Sequence, residues 1–388
     1  MSRIVIISTC THDWGGSEEL WSKSIPLLQE QGYAVTVIKS VINRSHPEFI
    51  RLAQNGVRLE EVHPHRNLAG KIWQGGTKIL KKLGNKLRLT AYPEYDFSAL
   101  HRLLQAAVPE LVIVSQGLNF DGLIYANQCL LLKIPYVTLA QNAVEFYWPL
   151  FYERKLMADV LLKARKNYFV SRHNLRLTEE QFGRRLPNSQ VVFNPVKLSR
   201  DPVPYPPALP VYRLACVARL FLIDKGQDIL LRVLARPEWK SRPVVVTFVG
   251  KGDDEAGLKE MAALLGVENV AFSGQVQDIA LLWATHHALI LPSRSEGMPL
   301  AMLEAMSAGR TVIVTHAGGN AEIMEEGVTG FIGQANEASL AAAMERAWNQ
   351  REEWETMGLH ALNYIKAHVP ECPEKEFTQN ILEVIRNQ

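Results

Sequence analysis

Two glutamates eight positions apart, Glu296 and Glu304, sit in the stretch LPSRSEGMPLAMLEAMSAGRTVIVTHAGGNAEIMEEGVTG, Leu291 to Gly330. The apolar run His287 to Leu291 reads as a buried strand ending at Pro292. Ser293 to Gly297 reads as a short loop. A helix then opens near Pro299, where a missing N–H costs little, and stops at Gly309. The first N–H groups of that helix, on Met298, Leu300 and Ala301, have no intrahelical partner and carry partial positive charge. Strand, loop and helix start therefore form an anion site that suits phosphate. Glu296 beside it can accept from hydroxyls. Glu304, nearly two turns into the helix, is within reach only of a long ligand. Two glutamates at this spacing also occur on any solvated amphipathic helix, so the flanking residues must decide between the readings.

The elements that position these groups follow from composition and pattern. A chain of 388 residues, 47% hydrophobic, suggests two domains of roughly 150 to 200 residues with ample cores. A net charge of +2 gives no global nucleic-acid footprint. Cys10, Cys129, Cys216 and Cys372 are far apart, without metal-ligand spacing. Cys10 and Cys216 read as buried thiols at strand ends, which suits a reducing cytoplasm. The N-terminus enters a strand directly, without a signal peptide, and no apolar run reaches the roughly 18 residues of a membrane span.

RIVIIS, Arg3 to Ser8, is a β-branched run expected of a strand buried on both faces. The loop TCTHDWGGSEE, a helix to about Gln31 and a strand from Ala34 follow. This is a nucleotide-binding type of start, although it lacks the dinucleotide glycine pattern. Further strands at Leu111 to Ser115, Pro135 to Ala140, Tyr168 to Ser171 and Val191 to Phe193 alternate with helices, which predicts a parallel, doubly wound sheet. His173 reads as a structural residue capping a helix. Asp201 to Pro210, with five prolines in ten residues, reads as an extended connector. A second sheet begins with Tyr212 to Ala218 and Val244 to Gly250. Helices are expected at Ala338 to Asn349, Glu352 to Ala367 and Glu374 to Asn387, with Pro370 and Pro373 as breakers. Between His63 and Pro93 the cations Arg66, Lys71, Lys78, Lys81, Lys82, Lys86 and Arg88 occur without an acid, beside an apolar face of Ile72, Ile79, Leu83 and Leu87. Such a helix suits an anionic membrane or a lipid-diphosphate, and equally a solvated face packed on the sheet.

Glu296 and Glu304, within SRSEGMPLAMLEAMSAG and ahead of GGNAEI and GVTGF, resemble the E-x7-E signature of the retaining GT-B glycosyltransferases of family GT4 (glycosyltransferase group 1). The resemblance covers most of the chain and is sharp from Arg219 to Phe331. RLFLIDKG resembles the pattern in which an arginine and a lysine six residues later, here Arg219 and Lys225, grip a donor diphosphate. Gly250-Lys251-Gly252 then reads as a close-approach turn at the nucleotide. Gly274, Gln275 and Val276 resemble the loop that touches the base. Gly15-Gly16 matches a paired-glycine loop near the donor phosphate or acceptor. Gln116 and Gln141 stand where family members often carry a histidine, so no general base is assigned.

The resemblance implies an α/β GT-B fold: two Rossmann-like doubly wound parallel-sheet domains facing a deep interdomain cleft. The acceptor-side domain would be 1–200, the linker 201–211 and the nucleotide-sugar domain 212–370, with 374–388 crossing back to the first. It implies catalytic roles for Glu296, Arg219 and Lys225. Gly15, Gly16, Gln141, Gly250, Gly274, Gln275, Val276, Gly297, Met298, Pro299, Leu300 and Glu304 would bind substrate. The expected reaction moves a hexose, with UDP-glucose the first candidate donor, to a saccharide or lipid-linked saccharide of envelope or exopolysaccharide assembly. No D-x-D motif occurs, so Arg219, Lys225 and the helix start are expected to meet the diphosphate charge without a metal or other cofactor. In the family Glu296 binds a donor hydroxyl, which favours a front-face displacement over a glycosyl–enzyme intermediate. Two alternatives share this architecture: a sugar-nucleotide epimerase and a non-catalytic sugar-nucleotide-binding protein. The expected place is the cytoplasm, with peripheral contact to an anionic membrane through 66–90.

Overall fold

The computed structural model describes residues 2–10, 14–62, 65–66, 95–207 and 210–387. The basic stretch Lys71 to Arg88 and part of the loop before Trp14 lie outside them. The chain divides into two compact units, Met1–Asn194 with Cys372–Gln388, and Pro195–Glu371.

The first unit is built on β1 (Ser2–Ser8), β2 (Tyr33–Lys39), β3 (Arg58–Glu61), β6 (Leu111–Gln116), β7 (Tyr136–Ala140), β8 (Lys166–Phe169) and β9 (Ser189–Val191), with the short antiparallel pair β4 (His65–Arg66) and β5 (Tyr95–Asp96) apart from them. The large sheet has the order β3-β2-β1-β6-β7-β8-β9, parallel throughout. Ile4, Ile6, Val5 and Ile7 of β1 are all buried because helices cover both faces, and alternate residues feed two separate cores. The last helix, Pro373–Arg386, closes one of them: Phe377 packs at 5.1 Å from the Tyr168 ring, and Ile381 is fully buried. The break expected at Pro370 and Pro373 separates this helix from the preceding Trp354–His368, and Pro373 itself takes the first helical position. The first helical position has no use for an N–H, so proline is well placed there.

The second unit holds β10 (Tyr212–Val217), β11 (Val244–Val249), β12 (Val270–Gly274), β13 (Ala288–Leu291), β14 (Thr311–Thr315) and β15 (Gly330–Gly333), ordered β12-β11-β10-β13-β14-β15 and again parallel. Both units are thus doubly wound.

The proline-rich segment is not a free connector. Val203 N–H donates to Ala308 O at 3.2 Å, and the buried Arg310 guanidinium donates to the carbonyls of Val203, Pro204, Trp283, His286 and Ala308. Tyr205 stacks over that guanidinium at 5.0 Å. Burial lowers the Arg310 pKa to about 10, which still leaves it charged at neutral pH. The chain passes between units at Asn194–Pro195, and 201–207 is part of the second.

Candidate functional site

In an open parallel sheet, ligands bind beyond the carboxyl ends of the strands where the strand order reverses. In the second unit that place lies between β10 and β13, which pair directly. The chain leaving β10 carries Arg219 and Lys225; the chain leaving β13 carries Ser293 to Gly297. The topology thereby brings together residues 71 positions apart: Lys225 Nζ lies 2.8 Å from Glu296 Oε1, with both side chains largely buried. Ser293 Oγ donates to the same oxygen at 2.7 Å. Both of these contacts fall on Oε1.

The loop is fixed from below. Asp224 O accepts from the N–H groups of Arg294 and Ser295 at 2.7 and 3.0 Å. Arg294 grips Asp228 with two bonds of 2.7 and 2.8 Å and also donates to Leu222 O. Burial alone would raise Asp228, but hydrogen bonds from Arg294 and Arg232 outweigh it and hold this carboxyl below its ordinary pKa. Asp224 has the opposite balance: burial raises it, against the pull of Lys225 and Arg219. Arg219 is half exposed, 3.8 Å from Asp224, and stacks on Phe221 at 5.6 Å. Of the two cations Arg219 is the more exposed, while Lys225 pairs with Glu296. Sequence reasoning gave these two residues separate tasks; the structure couples them.

The helix after the loop runs Leu300–Ser307, with Pro299 as its N-cap. Pro299 O takes the Met302 and Leu303 N–H groups, which leaves those of Leu300 and Ala301 without an intrahelical acceptor. Met298 and Glu304 are buried, and Gly297 O accepts from Gly319 N–H at 2.8 Å. Gly318, at φ +53°, lies against this loop: a Cβ there would sit 1.8 Å from Glu296 O. Gly318→Ala is therefore expected to push Glu296 away from Lys225. It should cost about 1–3 kcal/mol of stability and a larger share of ligand affinity, read from paired unfolding and nucleotide titrations.

Gly250 packs against its own chain: its N–H donates to Gly274 O at 2.8 Å, and a Cβ would sit 2.1 Å from Ala218 O, so the glycine seats the turn that carries Arg219. Gln275 is exposed and Val276 half-buried just beyond β12, without a hydrogen bond to the Lys225–Glu296 cluster.

In the first unit the order reverses between β1 and β6. Gly15 and Gly16 open the helix Gly16–Glu30 that follows β1. Behind them is a feature the sequence did not disclose. Glu18 Oε1 pairs with Lys39 Nζ at 2.8 Å, both side chains wholly buried. Ser8 Oγ donates to Oε1, while Ser17 Oγ and the Gly15 N–H donate to Oε2. The ion pair fixes the paired-glycine turn. Gln141, at the end of β7, accepts from Asn194 Nδ2 at 2.7 Å, and Gln116 is buried at the end of β6. His173 does not cap its helix: Ser171 Oγ accepts the Asn174 N–H, and His173 faces Glu145 at 3.8 Å. Cys10 is only partly buried, whereas Cys216 is buried as expected.

Asp121 accepts from Thr9 Oγ1 at 2.8 Å and from the Leu118 N–H at 2.9 Å. Burial nevertheless raises its pKa from 3.8 to about 6. A carboxyl whose folded pKa exceeds its unfolded one stabilises the fold below the unfolded value and loses that contribution as pH rises through the folded one. Wild type should therefore lose stability relative to Asp121→Asn between about pH 4 and pH 6, measured as the difference in urea midpoints.

Comparison with known proteins bears on this geometry. Residues 212–350 match the family model for Glycosyl transferases group 1. D-rhamnosyltransferase WbpZ of Pseudomonas aeruginosa is 30% identical over 231 residues, which cover 56% of this chain and 57% of WbpZ. The Vi polysaccharide biosynthesis protein VipC/TviE of Salmonella typhi is 42% identical over 86 residues, 22% of this chain and 15% of that protein. The chain thus spans 15 to 57% of these relatives' lengths. Among solved structures, Anabaena HepE in complex with UDP and glucose superposes with a TM-score of 0.72 at 18% identity, covering all of both chains. Sucrose-phosphate synthase from Thermosynechococcus elongatus gives 0.72 at 16%, again over both whole chains. The fold is accordingly the GT-B fold of these structures, and the segment that matches the group 1 family carries Arg219, Lys225, Glu296 and Glu304.

Proposed function

We propose that this protein is a retaining glycosyltransferase that moves a hexosyl group from a nucleoside-diphosphate sugar to a hydroxyl of a saccharide or lipid-linked saccharide. The observation that carries this reading is the meeting of Lys225, Glu296 and the start of the helix Leu300–Ser307 at the reversal between β10 and β13, with Arg219 beside them. A phosphate there would meet Arg219, the remaining protons of Lys225 and the free N–H groups of Leu300 and Ala301. Glu296 Oε2 would accept from a donor-sugar hydroxyl, and Glu304 would serve the far end of the nucleotide.

The donor base and sugar are proposed as UDP and glucose, supported by the HepE complex. Envelope or exopolysaccharide assembly is supported by the names of WbpZ and VipC/TviE. In the step itself the bond from C1 to the diphosphate oxygen breaks as the acceptor oxygen bonds C1 from the same face. The acceptor proton passes to the departing diphosphate. The charge that develops is met by fixed cations and peptide dipoles, so the reaction is proposed to need no metal. Gly15, Gly16 and Gln141 in the first unit are proposed to serve the acceptor side. Among the described residues no helix is long and apolar enough to cross a membrane. We propose a cytoplasmic protein, with the basic segment 66–90 as a peripheral contact to the inner face of an anionic membrane.

The test is a panel of nucleotide sugars screened by heat stabilisation, followed by transfer assays with saccharide acceptors. Stabilisation by UDP and UDP-glucose, with retained anomeric configuration in the product, is expected. Stabilisation by none of the panel would overturn the reading. Release of an epimerised sugar nucleotide without acceptor would replace it with the epimerase alternative.

A further inference from the structure

Directly after Gln141 the first unit turns unusually apolar outward. Phe146, Tyr147, Trp148, Leu150, Phe151 and Tyr152 are all exposed large side chains within seven positions; Phe151 is 82% exposed and Trp148 57%. A soluble surface seldom carries so much contiguous apolar area without using it.

The loop beneath is not loose. Gln181 Nε2 donates to the carbonyls of Val144 and Tyr147, both at 2.9 Å, and Asn119 donates to Gln181 Oε1 at 2.7 Å. Arg154 Nε donates to Gln181 O at 2.7 Å. Trp148 Nε1 donates to Glu145 O at 3.0 Å, so its only polar atom is satisfied locally. The rings pair among themselves, Phe146 with Tyr147 at 4.8 Å and Phe151 with Tyr152 at 5.6 Å. Backbone and polar groups are thus held from inside while the rings are held outward.

The helix Phe151–Lys163 continues the surface. Helical spacing puts Phe151, Lys155 and Leu162 on one outer strip, with Tyr152 and Lys163 beside it. All five are exposed. Among the charged residues of 145–163 the exposed ones are Lys155 and Lys163 against one acid, Glu145.

We propose that this surface docks on an anionic bilayer. The loop 146–150 and the first turn of the helix would sit at headgroup depth, with Lys155 and Lys163 on lipid phosphates. Three features favour lipid over a second copy of the chain. Tyr and Trp are side chains suited to the headgroup layer, where one end is apolar and the other wet. A lysine in the middle of the strip is disfavoured at the dry core of a protein interface. A lysine stem can lie along apolar surface while its ammonium reaches phosphate. The docking itself does not depend on the transferase reading.

Cosedimentation of the full chain with vesicles tests it. Wild type is expected to sediment with vesicles of phosphatidylglycerol and phosphatidylcholine at low salt, and far less with phosphatidylcholine alone. Trp148→Ala with Phe151→Ser should weaken that binding at least about tenfold, with UDP binding by the second unit unchanged. Lys155→Glu, which leaves every ring in place, should weaken binding to anionic vesicles alone. No sedimentation of wild type with anionic vesicles would overturn the proposal, as would equal binding by wild type and either variant. A dimer broken by Phe151→Ser, without vesicle binding, would assign the surface to a second copy instead.

Discussion

Replacing Lys225 with alanine is expected to lower the transfer rate by about 10²–10³-fold, the scale of removing one preorganised group from a site where charge develops. Two losses combine in this variant. The departing diphosphate loses a nearby cation, and Glu296 loses the partner 2.8 Å away that keeps its carboxylate aimed. Arg219→Ala should lose rate by a smaller factor, because Arg219 is half exposed and 3.8 Å from its carboxylate neighbour Asp224. Steady-state rates for both variants check the order. Equal losses in the two would show that Lys225 acts on the ligand alone.

The largest effect on stability is expected at Lys39. Lys39→Met removes one half of an ion pair in which both side chains are wholly buried and leaves Glu18 charged in the core. Breaking such a pair costs about 3–5 kcal/mol, which in a unit of this size lowers the unfolding midpoint by on the order of 10 °C. Removing both partners leaves no stranded charge, so Lys39→Met with Glu18→Leu should recover much of that stability. The double variant still loses the acceptor that the Gly15 N–H uses. It should therefore be stable yet impaired in acceptor use. A double variant no more stable than the single one would refute the claim that the stranded charge is the cost.

The doubly wound architecture was legible because β-branched runs such as Arg3 to Ser8 have only one economical use, as strands covered on both faces. The residues of the second-unit site were legible one at a time. Their pairing was not: Lys225 and Glu296 meet only because the sheet order sets β10 beside β13. The same limit hid Arg294 with Asp228, 66 positions apart, and Glu18 with Lys39. A lysine at the end of a strand and a glutamate in the first turn of a helix both read as solvated until tertiary structure buries them. Composition misled at the proline-rich segment 201–210 for a physical reason. Proline sets φ and removes a donor, but it leaves the carbonyl: those of Pro204 and its neighbour Val203 are what Arg310 binds. At Pro373 the same restriction was legible: it marks the break after His368 and starts the next helix, where the first position needs no donor.

The central claim is that a nucleotide diphosphate is held by protein cations and peptide dipoles at the β10–β13 reversal. A crystal structure of the protein with UDP, grown in chelator, tests it most directly. The account predicts the diphosphate within hydrogen-bond distance of the Arg219 guanidinium and of the backbone N–H groups at the start of the helix Leu300–Ser307, with Lys225 alongside. A diphosphate bound elsewhere, or UDP that binds only once magnesium is restored, would contradict it.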